Sequence, residues 1–205
     1  MNGLGLRIRN VRKARGLVLQ QVADATHLTV GFLSQVERDI AVPSISSLAL
    51  IASALDASIE TFVPPPEPVP RVSRDGRRPA FSIDPQSVAY ERLSTDFPGR
   101  TMSALKVRVP PAYRSETSAH AGEEIVYVLS GSIRYVIGEE THDLNAGDCL
   151  HFAAQHPHRV ENVGTATTEL LSIGTLDIFH GIQSRNPPEA KRPGRRAKLE
   201  KGDAT

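Results

Sequence analysis

The stretch TSAHAGEEIVYVLSG, residues 117–131, sets one imidazole, His120, and one carboxylate, Glu124, at a spacing suited to holding a metal. Alternate residues of a strand face one side, so Ser118, His120 and Glu124 share parity and are expected to point into one interior. A second imidazole, His158, follows in GDCLHFAAQHPHRVEN. His120, Glu124 and His158 together offer two nitrogens and one oxygen, with positions left open for water or a ligand. That set suits a divalent transition metal: zinc, iron, nickel or manganese. The same residues also make a metal-free network, with His120 bonded to Glu124 and His158 closing it. A catalytic metal centre, a degraded one and a metal-free pocket all remain open at this point.

Tyr113, Arg114, Arg134, Tyr135 and Cys149 are further candidates for recognising an organic ligand, a buried arginine favouring a carboxylate. Ser118, His120, Glu124, Tyr135 and His158 form the expected ligand-binding set. Cys149 is expected to be a small, buried, inert thiol. His142 and His156 are expected in turns and His180 near the end of the body, with the facing of His151 undecided.

These residues sit in a stretch of short β-branched runs, ALKVRV, IVYVLS, SIRYVIG, CLHFA and TELLSIG, separated by GEE, NAGD and NVGTAT. Short strands punctuated by turn signals predict an antiparallel sandwich or barrel over 81–180. Upstream, residues 63–79 hold six prolines in 17 positions. Proline supplies no ladder or helix donor, so 63–80 is expected to be a stiff linker. The basic, Pro-rich stretch 181–205 has almost nothing to bury and is expected to be disordered.

Residues 1–62 read as helices. Leu4, Ile8 and Val11 form an i, i+4, i+7 stripe that Gly16 ends. A second helix is expected over 19–25, a third after the N-cap Thr29 and a fourth after Ser44. A fifth turn is expected near 59–62, giving a compact five-helix unit. Arg7, Arg9, Arg12, Lys13 and Arg15, with no acid among them, suggest a phosphate-facing patch.

The 205 residues carry a net charge of +1, which selects no partner class, whereas the acids concentrate in the long β-rich block. The single cysteine excludes an internal disulfide and fits a reducing cytosol. No apolar run reaches the roughly 18–20 residues of a membrane span, and the polar start is unlike a secretory signal. The expectation is a soluble cytoplasmic protein.

The helical string GLVLQQVADATHLTVGFLSQVERDIAVPSISSLALIASALDASIETF resembles the XRE-family, lambda-repressor-like DNA-binding domain. The resemblance implies a helix-turn-helix whose third helix lies in the major groove. Val30, Gly31, Ser34 and Gln35 then face bases, and Thr29 with nearby backbone amides holds phosphate. Gln35 is the strongest candidate for a bidentate contact to adenine. The resemblance also pairs Arg12 with Glu37. Val18 and Leu19 depart from the family's polar cap, and His27 stands where glycine is frequent, which asks for an unusual backbone angle or a different turn.

The later motifs, Ser118–Ala119–His120, Glu124 and Gly131, then Gly147, Asp148, Phe152, His158 and Asn162, resemble the cupin superfamily. Ser118 replaces one family ligand, and a serine hydroxyl is a poor one. An XRE-type head joined to one cupin resembles bacterial one-component transcription regulators. That resemblance implies a multidomain α and β chain: five helices, then an antiparallel β-barrel (a double-stranded β-helix). It implies a homodimer on a palindromic operator of double-stranded DNA, repression as the likelier sign, and a small-molecule effector in the cupin. It implies no enzyme activity and no membrane. The alternative is a metal-dependent cupin dioxygenase or isomerase carrying an autoregulatory head.

Overall fold

The computed structural model describes residues 3–63, 69–176, 178 and 179. Four helices open the chain: α1 (Leu4–Ala14), α2 (Leu19–Thr26), α3 (Val30–Glu37) and α4 (Ile45–Ala54). The expected fifth helix is instead a single 3-10 turn, Ile59–Thr61. Its three residues follow Ser58, which caps Glu60, and leave no length for an α-helical ladder.

Thr29 and Ser44 cap α3 and α4 by accepting from the Phe32 and Ser47 amides at 3.1 and 3.2 Å. Val18 has no hydroxyl to offer α2, so only Gln21 reaches back, its Oε1 accepting from the Val18 amide at 2.9 Å. His27 takes the left-handed angle, φ 57°, that the turn demands. Ile8, Val22, Leu33, Val36, Leu48, Ile51, Leu55 and Phe62 close the core between these helices. At Gly5 a Cβ would come within 2.2 Å of the Val36 carbonyl oxygen, so only glycine lets α1 lie this close to α3.

The basic patch of α1 is smaller than expected. Arg12 is committed to Glu37 and the Leu17 carbonyl, Arg7 to the Phe62 carbonyl, and Arg15 to Asp56. Arg9 and Lys13 remain exposed.

Nine strands follow: β1 (Ala80–Ser82), β2 (Ala89–Arg92), β3 (Ser103–Val109), β4 (Glu123–Ser130), β5 (Ser132–Ile137), β6 (Glu140–Asn145), β7 (Cys149–Ala153), β8 (His158–Glu161) and β9 (Thr168–Gly174). They form a six-stranded sheet, β1-β2-β3-β9-β4-β7, and a three-stranded sheet, β6-β5-β8. Every pairing is antiparallel. Inward side chains alternate along β3, where Ser103, Leu105, Val107 and Val109 are buried. The two sheets enclose a cavity that carries the candidate ligands. His142 lies in β6 rather than in a turn, paired with Glu140, while His156 does occupy a bend. Part of the Pro-rich linker (64–68), the tail 181–205 and His180 lie outside the described residues.

Candidate functional site

The three candidate ligands come from three local structures, not from one strand. Glu124 is on β4, His158 opens β8, and His120 sits in the loop before β4. Ser118, His120 and Glu124 face one interior, though not along one strand, because the chain turns at Gly122, φ 100°, where a Cβ would meet Thr175 Oγ1 at 2.0 Å. Ser118 forms an isolated antiparallel bridge with His158, its amide donating to the His158 carbonyl at 3.0 Å and its carbonyl accepting from the His158 amide at 2.8 Å. That bridge brings residues 40 positions apart in sequence to one wall.

One donor atom each from His120, Glu124 and His158 lies within 4.8 Å of the others. His120 Nε2 is 3.0 Å from Glu124 Oε1, and the two imidazoles meet edge to face, centroids 5.3 Å apart. His158 Nδ1 donates to the His156 carbonyl at 2.9 Å, and His120 Nδ1 lies 3.1 Å from the Ala121 carbonyl. Backbone carbonyls thus hold both Nδ1 positions and turn each Nε2 toward the cluster, the arrangement metal-binding imidazoles need. Phe152 packs edge-on against His158 at 5.1 Å and fixes its plane.

His120 faces oxygen acceptors on both nitrogens. Burial lowers its pKa, but the Glu124 hydrogen bond, the Ala121 carbonyl and the Glu124 charge together carry it above the ordinary value. A proton on Nε2 satisfies Glu124, and a divalent cation in the same place satisfies both while adding His158. The donor set therefore fits a metal, with Ser118 on the same wall offering only a neutral hydroxyl.

Around this cluster runs a cavity of about 100 Å³ lined by Glu124, Ser118, His158, Tyr135 and the aliphatic residues Val88, Leu105, Val107 and Leu170. Tyr135 from the smaller sheet and Tyr90 and Tyr113 from the other side add three phenols. Burial pushes all three well above the usual phenol value, with Glu116 adding at Tyr113 and Glu124 at Tyr135, so they act as neutral hydrogen-bonding groups.

Several candidates lie elsewhere. Arg134 pairs with Asp143 and Arg114 with Glu161, both away from the cavity wall. His151 points outward to Glu123. Cys149 is exposed, not buried, because it pairs with Tyr127 on the outward face of β4 and β7. Sequence reasoning missed Tyr90, Arg159 and Ser172 in the lining and Glu116 beside it. Nothing in their local pattern marks them.

In the helical head, Val30, Gly31 and Gln35 are exposed along one side of α3, with Thr29 at its start and Ser34 half-buried between. Arg12 Nε and a terminal guanidinium nitrogen donate to the two carboxylate oxygens of Glu37 at 2.5 and 2.8 Å, fastening α3 to α1. Glu37 in turn raises the Arg12 pKa, mainly through that bond and against the effect of burial.

Residues 8–62 match the helix-turn-helix family and residues 105–174 match the cupin domain family. The chain is 27% identical over 178 residues to the HTH-type transcriptional regulator SutR of Escherichia coli (strain K12), covering 83% of this chain and 93% of that one. It is 26% identical over 180 residues to the HTH-type transcriptional regulator PuuR of the same organism, covering 85% and 96%. Among solved structures, an HTH_3 family transcriptional regulator from Vibrio cholerae superposes with a TM-score of 0.54 at 24% identity, covering 85% of this chain and 95% of that one. The fold, the two motif sets and these matches make the chain an XRE-type helix-turn-helix protein carrying a C-terminal cupin domain.

Proposed function

We propose that this chain is a DNA-binding transcriptional regulator whose α3 reads the major groove and whose cupin cavity takes a small effector. The observation that carries the reading is the face of α3: Val30, Gly31 and Gln35 are exposed on a helix locked to α1 by a two-pronged ion pair. A rigid helix with free side chains on one face is what base reading requires. Gln35 makes the amide contact to adenine, Val30 meets a thymine methyl, Ser34 and Gly31 allow close approach, and Thr29 holds phosphate.

The working unit is a homodimer. Ile125, Tyr127 and Leu129 alternate on the outer face of β4 at 37%, 41% and 40% exposure, an apolar row suited to a second copy. Two heads spaced about 34 Å apart then match a palindromic operator. The two sheets act as the halves of a cupin barrel, and His120, Glu124 and His158 would hold one divalent metal, which would act as a Lewis acid toward an oxygen of the effector. The protein works as a repressor in the cytoplasm and is not an enzyme; among the described residues no helix is long and apolar enough to cross a membrane.

The test is selection from a randomised duplex library with the full chain. The expected product is a palindrome with half-sites centred one helical turn apart. Recovery of no sequence above non-specific binding overturns the reading. Tyr127→Glu, followed by light scattering, is expected to convert dimer to monomer.

A further inference from the structure

The cupin cavity has one wall that does not belong to the cupin. Ser44, Ile45 and Ser46, the N-cap and first turn of α4 in the DNA-binding head, stand among its lining residues beside Tyr113, Ser115 and Arg159. The contact is bonded. Glu116, in the loop between β3 and β4, accepts from the Ser44 amide at 3.0 Å and from the Ser44 hydroxyl at 2.6 Å, both on Oε1. Ser44 Oγ accepts in turn from the Ser47 amide, so the cupin carboxylate extends the cap of a helix in the other domain. Ile45 lines the cavity together with Tyr90 of β2. An anion at a helix start meets the unpaired amides and the positive end of the helix dipole, which makes Glu116 a suitable latch.

The cavity's size gives this wall a consequence. About 100 Å³ lies below the ~300–1,000 Å³ of most organic-ligand pockets. The barrel side is built from buried strand residues such as Leu105, Val107 and Leu170. The α4 side is held by the burial of Ile45 and by the Glu116 latch. An occupant larger than the cavity therefore moves α4 before it moves the barrel. Leu48 and Ile51 of α4 are fully buried in the head, so displacing the first turn carries the head with it.

We propose that the effector site is shared between the domains: the first turn of α4 is its movable wall, and the Glu116–Ser44 latch reports occupancy to the DNA-binding head. This rests on the reading of the cupin cavity as the effector site. The ligand class follows from the lining: a compact aliphatic body bearing an oxygen at the end that faces Glu124 and His158. The latched arrangement excludes it and the released arrangement admits it, which supplies the differential affinity that a switch needs. The reading face of α3 is exposed while the head is latched, so release acts by changing how the head is held, and it weakens operator binding.

Two variants test this in the full chain without the effector. Ser172→Phe fills the cavity from β9, and Glu116→Ala opens the latch from outside. The readout is amide hydrogen exchange at 44–47 and at 48–55, with affinity for the duplex selected by the wild type. In both variants exchange at 44–47 is expected to rise tenfold or more, exchange at 48–55 to stay at the wild-type rate, and operator Kd to rise at least threefold. A folded Ser172→Phe chain with wild-type exchange at 44–47 overturns the shared site; if that variant does not melt cooperatively, Ser172→Leu takes its place. Faster exchange with unchanged operator Kd overturns the link to DNA. Failure of the wild type to select any duplex sinks the DNA-reading proposal instead and leaves the exchange result to judge the shared wall.

Discussion

The head and the cupin present their chemistry in opposite ways. The head packs its apolar stripe inward and leaves Val30, Gly31 and Gln35 on a convex, wet face. The cupin turns its chemistry inward, with His120, Ser118 and His158 at 5%, 6% and 7% exposure. A surface reader needs rigidity behind exposed side chains, supplied here by Arg12 and Glu37. A buried pocket needs partners for its polar atoms, and the backbone carbonyls of Ala121 and His156 supply them to the two Nδ1 nitrogens. The difference predicts where each domain is vulnerable: the head through the support of α3, the cupin through its donor set.

The largest effect is expected at that support. Glu37→Ala leaves the Arg12 guanidinium, 11% exposed, without its carboxylate. The loss of stability is about 3 kcal/mol, at the low end for breaking a buried pair, and chemical denaturation of the full chain reads it. Intact stability would show that α3 needs no such fastening, and the contrast between the domains would weaken.

Next is the cupin donor set. His158→Ala removes one of the three proposed ligands and is expected to lower metal affinity by at least ~100-fold, the upper end of what even an outer partner costs. Elemental mass spectrometry on tag-free protein is expected to fall from about one metal per chain to near none. Equal metal content in both proteins would place the metal elsewhere.

A smaller and more selective effect is expected on the reading face. Gln35→Ala costs roughly 1–3 kcal/mol of discrimination at one base-pair position and leaves the rest of the operator preference in place. Binding to a panel of operator variants distinguishes this from a uniform loss. A uniform loss would make Gln35 a phosphate contact.

The smallest effect is expected at Arg134. Its guanidinium pairs with Asp143 on the outside of the smaller sheet, lowering the Asp143 pKa chiefly through that hydrogen bond. Arg134→Ala is expected to leave metal content and operator binding at wild-type levels. A changed effector response would put this outer face into the site.

How much was legible depended on distance along the chain. The caps Thr29 and Ser44, the stripe of Leu4, Ile8 and Val11, and strands β3, β4, β5, β7 and β9 all have local signals. Strands β6 and β8, ETHDLN and HRVE, do not, because charged side chains on their outward faces mask the alternation. The candidate donor set was named from types and spacing, and its members do converge, but by another route than the one expected. Strand parity was assumed across residues 118–124, where a turn at Gly122 intervenes. Arg12 stood both in the basic patch and in the pair with Glu37 that the resemblance implied, and the ion pair at 2.5 Å removes it from the patch.

By itself, then, the sequence determined the division into a helical head and a β-rich body, and it named the candidates on α3 and the three candidate donors. Periodicity and motif spacing act over a few residues, and those features are local. Only the tertiary structure decided that His120 reaches Glu124 from a loop, that Cys149 faces outward, and that the cavity is small. Only it joined Glu116 to Ser44 across 72 positions, a contact made by packing two separately folding patterns together, which no local pattern encodes.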